Sequence, residues 1–259
     1  MVDVQNQIDI RNIAINKVGI KKIKYPISVL DRQNKIQHTV ADINMSVSLP
    51  KQFKGTHMSR FIEVINKYKR EIKIENIDEI LNYIKVKLNA QEAHLEMSFP
   101  YFIEKSAPVS GEKGLMDYIC RIHAKVNGKN ETDLILGVSI PITTLCPCSK
   151  EISKFGAHNQ RSEVTILVRM TEFVWLEELI SLVESSGSCE IYSLLKREDE
   201  KYVTEQAYEN PVFVEDVVRE VTEKLSLDKR IIWFTVESEN FESIHNHNAY
   251  AFIERDFRD

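Results

Sequence analysis

Twice along this chain, two β-patterned runs lead into two helix-patterned runs and then into two more β-patterned runs. No other feature limits the choice of folds as much. In the first half, Lys21 to Leu30 and Gln37 to Leu49 are rich in β-branched residues and often alternate, which reads as a strand pair. Ser59 to Ile72 carries apolar residues at Phe61, Val64, Ile65, Tyr68 and Ile72, a helical spacing, and Ser59 is placed to cap that helix. Ile77 to Leu88 reads as a second helix capped by Asn76, and His94 to Phe102 and Tyr118 to Val126 alternate again. After the turn-like Asn127-Gly-Lys-Asn130 the order restarts. Asp133 to Thr143 and Ser162 to Met170 read as strands with a loop between them, and Glu172 to Ser185 reads as a helix. Asn210-Pro211 suits a helix start, because proline in the first turn loses no hydrogen bond. The stripe Val214, Val217, Val218, Val221 and Leu225 continues that helix, and Ile231 to Ser238 and Asn248 to Glu254 close the chain as strands. The expected fold is therefore α+β: two tandem ββααββ modules, residues 1–129 and 130–259, each an antiparallel sheet with helices on one face. Short sheets of this kind leave open edges, which assembly of several copies would pair.

Composition narrows the function classes. An apolar fraction of 43% suffices for a sizeable core, and a net charge of −5 argues against general binding to nucleic acid or a membrane surface. No window approaches the ~18–20 apolar residues of a membrane span, and no signal-peptide pattern is present. The polar lead from Met1 to about Asn12 is expected to be loosely ordered. Four cysteines without a disulfide-like spacing point to a reducing, cytoplasmic setting.

Chemistry concentrates in Thr144-Leu-Cys-Pro-Cys-Ser-Lys-Glu-Ile-Ser-Lys-Phe-Gly-Ala-His158. Thiolate and neutral imidazole are favoured ligands of zinc-like divalent metals. This segment offers at most three donors, fewer than a closed structural site needs, so it points to a catalytic metal with an open position. Cys148 and His158 are the strongest candidates. Cys146 could bind metal, relay protons or act as a nucleophile. Glu242-Ser-Ile-His-Asn-His-Asn248 puts His245 and His247 on one face if it is extended, which suits proton transfer or ligand binding. Lys196-Arg-Glu-Asp-Glu-Lys201 would ordinarily be a solvated loop. It lies in a long connection between two expected helices, however, and one of its carboxylates could complete a Cys/His/carboxylate set. Glu215 sits near the start of the last helix, where the dipole favours an acid. His57 and Arg60 flank the start of the first helix and could contact phosphate.

Several stretches taken together resemble the prokaryotic type IB form of GTP cyclohydrolase I. They are His57-Met-Ser-Arg-Phe61, Leu145-Cys-Pro-Cys-Ser-Lys-Glu-Ile-Ser153, Gly156-Ala-His-Asn-Gln-Arg161, Leu194-Leu-Lys-Arg197 with Asp199-Glu-Lys201, Val203-Thr-Glu-Gln-Ala-Tyr-Glu-Asn-Pro211, Phe213-Val-Glu-Asp-Val-Val-Arg219 and Ile244-His-Asn-His-Asn-Ala249. Glu198 stands where the family pattern has a proline, which bears on loop stiffness more than on chemistry. The resemblance implies the tunnelling fold and a homotetramer with active sites at subunit interfaces. It also implies conversion of GTP and water to formate and 7,8-dihydroneopterin triphosphate. A divalent metal, zinc, manganese or iron, would be held by Cys148, His158 and Glu200, with Cys146 close by among the catalytic residues. Glu215 would anchor guanine, Glu242, His245 and His247 would serve proton transfer, and His57 and Arg60 would be substrate contacts. Arg60, Lys150, Arg161, Lys196 and Arg197 are candidates for the triphosphate. Two alternatives remain at this point. One is a tunnelling-fold nitrile reductase, whose Glu-Ser-Lys-Ser-type signature is missing here. The other is a non-catalytic metal- or nucleotide-binding module.

Overall fold

The computed structural model describes residue 5, residues 7–68 and residues 72–258. Residues 1–4 and 6 of the polar lead, and residues 69–71 of the expected first helix, lie outside the described residues. The described part of the lead is not loose. Lys54 N donates to Gln7 O, Gly55 N donates to Gln5 O, and Ile8 bridges Phe53. Pairing satisfies backbone groups there that composition alone would leave to water.

The chain divides into two compact units, residues 1–100 with 121–135, and residues 101–120 with 136–259. The first unit holds β1 (Ile15–Asp31), β2 (Lys35–Leu49), the first part of β3 (Ala93–Ser106), the last part of β4 (Lys113–Val126) and the start of β5 (Thr132–Leu145), neighbours in that order. Alternation in β2 turns Ala41, Ile43, Met45, Val47 and Leu49 inward. A side chain at Gly19 of β1 would overlap the Met45 carbonyl and the Ser46 Cα, so only glycine allows the two backbones to come that close. Helices α1 (Ser59–Tyr68) and α2 (Ile77–Lys87) bury Phe61, Val64, Ile65 and Tyr68, and Ile77, Ile80, Leu81 and Ile84. Asn76 is not the side-chain cap expected for α2. Its Oδ1 accepts from Lys73 N and closes a short 3₁₀ turn, Ile74–Asn76, ahead of the helix.

In the second unit β3, β4 and β5 are joined by β6 (Asn159–Met170), β8 (Ile231–Asn240) and β9 (Ala249–Asp256), with the two-residue β7 (Cys189–Glu190) pairing β5. Three helices were anticipated differently. The segment after β5, a loop by its sequence pattern, forms α3 (Pro147–Ile152). The connection around 196–201 opens α5 (Arg197–Glu209). Asn210-Pro211 precedes the last helix instead of starting it, since α6 runs Val214–Leu227 behind an N-cap at Phe213. In α5 only Asp199 and Ala207 are buried, so it has no apolar stripe for a periodicity reading to find. The expected helix from Glu172 is α4 (Leu176–Glu184). Stripes from α4 (Leu179, Ile180, Val183) and α6 (Val217, Val218, Val221, Leu225) are buried, as are Val164, Ile166, Val168, Phe234 and Val236 of the strands. Each such side chain contributes roughly 1.5–3 kcal/mol by leaving water.

Candidate functional site

The β5–β6 hairpin builds the site. Its register runs from Leu136↔Val168 to Leu145↔Asn159, and one further bond, Cys146 N to His158 O at 3.1 Å, closes the neck. The intervening chain leaves and returns through α3, with Pro147 in the first turn and Gly156 at φ +93 near the return. Cys146 is the N-cap, and its Sγ accepts from Ser149 N at 3.4 Å. Ser149 Oγ donates to Cys146 O (3.1 Å) and accepts from His158 N (3.2 Å), pinning the turn to the imidazole-bearing residue. Cys148 projects from the first turn of α3 and is exposed. Strand register and the closing bond therefore bring the backbone of Cys146 against that of His158.

Behind His158 lies a chain of polar groups that no compact ligand-like spacing marks in the sequence. Gln160 Oε1 is 3.0 Å from His158 Nδ1, and Gln160 Nε2 donates to Thr144 Oγ1 at 2.7 Å. Thr144 Oγ1 is 2.8 Å from Ser162 Oγ, and Ser243 Oγ is 3.3 Å from His158 Nδ1. Gln160, Thr144 and Ser162 are all buried. A signal was available: the inward stripe of β6 is Gln160, Ser162, Val164, Ile166 and Val168, polar only at its hairpin end.

Three other segments are tied to this end of the β5–β6 hairpin. Ser188 N donates to Thr143 O (2.8 Å), Ser188 Oγ accepts from Leu145 N (2.9 Å), and β7 pairs at Ile142↔Glu190. Downstream, α5 opens with Lys196 as N-cap and presents Glu200, which is exposed. Its anchor is Asp199, fully buried. Asp199 accepts from Lys196 N (2.8 Å), Val109 N and Ser110 N (2.9 Å each) and Ser110 Oγ (2.6 Å). Burial alone would raise its carboxyl, but the Ser110 and backbone donors outweigh that and hold it below the ordinary range. The second tie is Val212 N to Leu145 O at 3.1 Å, three residues before Glu215, which is exposed in the first turn of α6. The third is Phe241 N to Arg161 O at 3.0 Å, which brings in the loop between β8 and β9. There Glu242 is half-buried, and its Oε2 is buried without a hydrogen-bond partner. His245 and His247 lie in this loop and not on a strand. Their rings stack at 5.2 Å with planes 15° apart, so the two do face one another.

A cleft of about 380 Å³ opens beside this arrangement, lined among others by Asn159, Gln160, Arg161, Glu190, Tyr192 and Thr204. That volume falls within the range of small-molecule sites. Lys150 donates to Tyr208 O and lies 4.4 Å from the Tyr208 ring centroid. His57 and Arg60 belong to the first unit. They line a small cavity with Thr56, and Arg60 Nη1 donates to Lys87 O at 3.5 Å. Among the described residues, no three His, Cys, Asp or Glu side chains are grouped closely enough to hold a metal ion. Among the described residues, no helix is long and apolar enough to cross a membrane.

Comparison with known proteins matches this architecture. The family model described as "Type I GTP cyclohydrolase folE2" matches residues 1–251. The "GTP cyclohydrolase FolE2" of Geotalea uraniireducens (strain Rf4) is 60% identical over 259 residues, covering 100% of this chain and 95% of the relative. That of Syntrophus aciditrophicus (strain SB) is 60% identical over 256 residues, covering 99% of this chain and 100% of the relative. Among solved structures, a highly active mutant of Bacillus sp. TB-90 urate oxidase superposes with a TM-score of 0.57 at 9% identity, covering 93% of this chain and 100% of that one. A likeness at that identity speaks to the fold alone, and the fold is the tunnelling fold expected from the sequence. Since a match over residues 1–251 and relatives 60% identical over nearly their whole length agree, the chain belongs to the type I GTP cyclohydrolase FolE2 family.

Proposed function

We infer that this chain is a GTP cyclohydrolase I: with water it opens the imidazole ring of guanine in GTP, giving formate and 7,8-dihydroneopterin triphosphate. Family membership carries the activity and replaces both alternatives weighed from the sequence. The residue assignment rests on the hairpin neck, where the two-thiol turn meets His158 and the Glu242 loop.

A thiolate, an imidazole and a carboxylate form a donor set suited to a divalent ion such as zinc, manganese or iron. We assign that set to Cys148, His158 and Glu200, with Cys146 alongside. The closure of the hairpin neck supports the first two, and the third rests on the Asp199-Glu-Lys201 stretch that matches the family. When bound, the cation supplies Lewis-acid activation of water near neutral pH. The protein's own groups do the rest. Glu215 offers two coplanar acceptors to the adjacent N1–H and N2–H donors of guanine, a pattern adenine cannot match. Ring opening and sugar rearrangement move several protons, which Glu242, His245 and His247 hold and pass on. The partnerless Oε2 of Glu242 fits that role, since a buried acceptor without a partner is costly unless a ligand or proton meets it. The triphosphate takes cations from among Lys150, Arg161, Lys196, Arg197 and Arg60, with His57 as a further contact. The edge strands, β1 in the first unit and β9 in the second, support a homo-oligomer, proposed as a tetramer with active sites at subunit interfaces.

The test is a GTP assay on metal-stripped protein reconstituted with single divalent ions, reading formate release and pterin fluorescence after oxidation. Both products should appear together and only with metal. A metal-loaded protein that releases no formate from GTP would refute the reading.

A further inference from the structure

We propose that Gln160 is a positioning residue that selects the tautomer of His158, so that Nε2 presents its lone pair to the metal. The inference rests on the reading of His158 as a ligand.

A neutral imidazole has one N–H and one lone pair, and whichever nitrogen meets an acceptor carries the proton. Gln160 Oε1, an obligate acceptor, lies 3.0 Å from Nδ1. The amide is held in that sense at its other end, where Nε2 donates to Thr144 Oγ1 at 2.7 Å. Thr144 in turn shares a hydrogen bond with Ser162 Oγ at 2.8 Å, and both hydroxyl residues are 0% exposed. A swing of the amide would break a buried bond, which is unfavourable away from water. Register supplies the placement: Thr144 faces Gln160 across β5–β6, and Gln160 lies two residues beyond His158, which immediately precedes β6. Ser243 Oγ, 3.3 Å away, occupies the same nitrogen. No described residue partners Nε2, so the protein's polar contacts gather on one nitrogen and leave the other for a cation. Partners of this kind fix ring orientation and raise ligand basicity.

The test uses the full-length chain stripped of metal, with zinc(II) as the probe and affinity read by chelator competition. Gln160→Leu removes the acceptor at similar size, and zinc affinity is expected to fall about 10–100-fold. Gln160→Glu keeps an acceptor toward Nδ1, while the Thr144 hydroxyl can turn to donate, so its affinity should stay within about threefold of the unsubstituted protein. Ring ¹⁵N shifts of His158 in the metal-free protein give a second readout. They should show Nε2 as the unprotonated nitrogen in the parent and Glu variant, and a mixture in the Leu variant. Urea midpoints check folding, and if Gln160→Leu fails to fold, Thr144→Val carries the same test with a smaller expected loss. Parent-like zinc affinity and shifts in Gln160→Leu would overturn the inference, as would equal weakening by Leu and Glu. His158→Ala separates the two levels. If it binds zinc like the parent, the ligand reading itself fails. If it loses zinc while Gln160→Leu does not, only the role of Gln160 fails.

Discussion

Lys105→Met should destabilise the second unit by an amount that grows with pH. Lys105 Nζ lies 2.7 Å from Glu184 Oε1 and 2.8 Å from Glu190 Oε2, and donates to Ile191 O at 3.0 Å. Tyr118 OH also donates to Glu184 Oε1, at 2.7 Å. The Lys105 and Glu184 side chains are only 10% and 8% exposed, so their attraction is little screened, whereas Glu190 at 40% counts for little. Removing one partner of a buried pair costs about 3–5 kcal/mol, and the retained Tyr118 bond argues for the lower end, about 3 kcal/mol. Burial raises the Glu184 carboxyl above its usual range, with Lys105 opposing that rise, so the substitution raises it further. A carboxyl with a higher pKa folded than unfolded binds more protons in the folded state, so stability falls as pH climbs through the interval between the two values. On the acidic side of that interval the variant's Glu184 is protonated, and the loss should be about 1 kcal/mol, mainly the bond to Ile191 O. On its alkaline side the loss should approach about 3 kcal/mol. Urea unfolding at matched protein concentration across this range reads the difference from midpoints and slopes. Adding Glu184→Gln to the variant should recover most of the high-pH loss, because no buried charge remains unpaired. A pH-independent difference, or no recovery in the double variant, would refute the reasoning.

Cys148→Ala should leave metal content and formate release near background. Full activity after metal stripping and re-addition would reject the ligand assignment. Glu215→Gln turns one acceptor into a donor facing guanine N–H groups, and KM for GTP should rise about 10–100-fold; unchanged kinetics would reject that role. His247→Ala should lower kcat about 10²–10⁴-fold at near-normal metal content, and loss of the metal would make it a ligand instead. Asp199→Asn should weaken metal retention and GTP affinity together, because an amide cannot accept all four donors that hold the start of α5; hydrogen exchange at Val109 and Ser110 checks that the anchor has loosened.

The tandem β-β-α-α-β-β order was legible because each main element carries its own period. β2 alternates strictly, and α1, α2 and α6 show apolar stripes that a helix must bury. Helix α5 was not legible, because its first turn is held by one buried carboxylate and not by an apolar face. The loop carrying His245 and His247 read as extended because two-residue spacing mimics a strand, while the rings meet by stacking. Cys146, Cys148 and His158 stood out in the sequence through their compact spacing, and strand register brings the backbone at the two ends of that segment together.

Residue type and spacing by themselves determined the order of the main elements and the identity of the family, since these are local or short-range properties of the chain. Tertiary structure alone decided what stands behind those residues: Gln160 against Nδ1 of His158, Asp199 under the Val109–Ser110 backbone, Lys105 against Glu184. The physical reason is that a polar side chain's role depends on which donor or acceptor meets it in the absence of water. In these three pairs the partner lies two, ninety and seventy-nine positions away in sequence, chosen by strand pairing and packing.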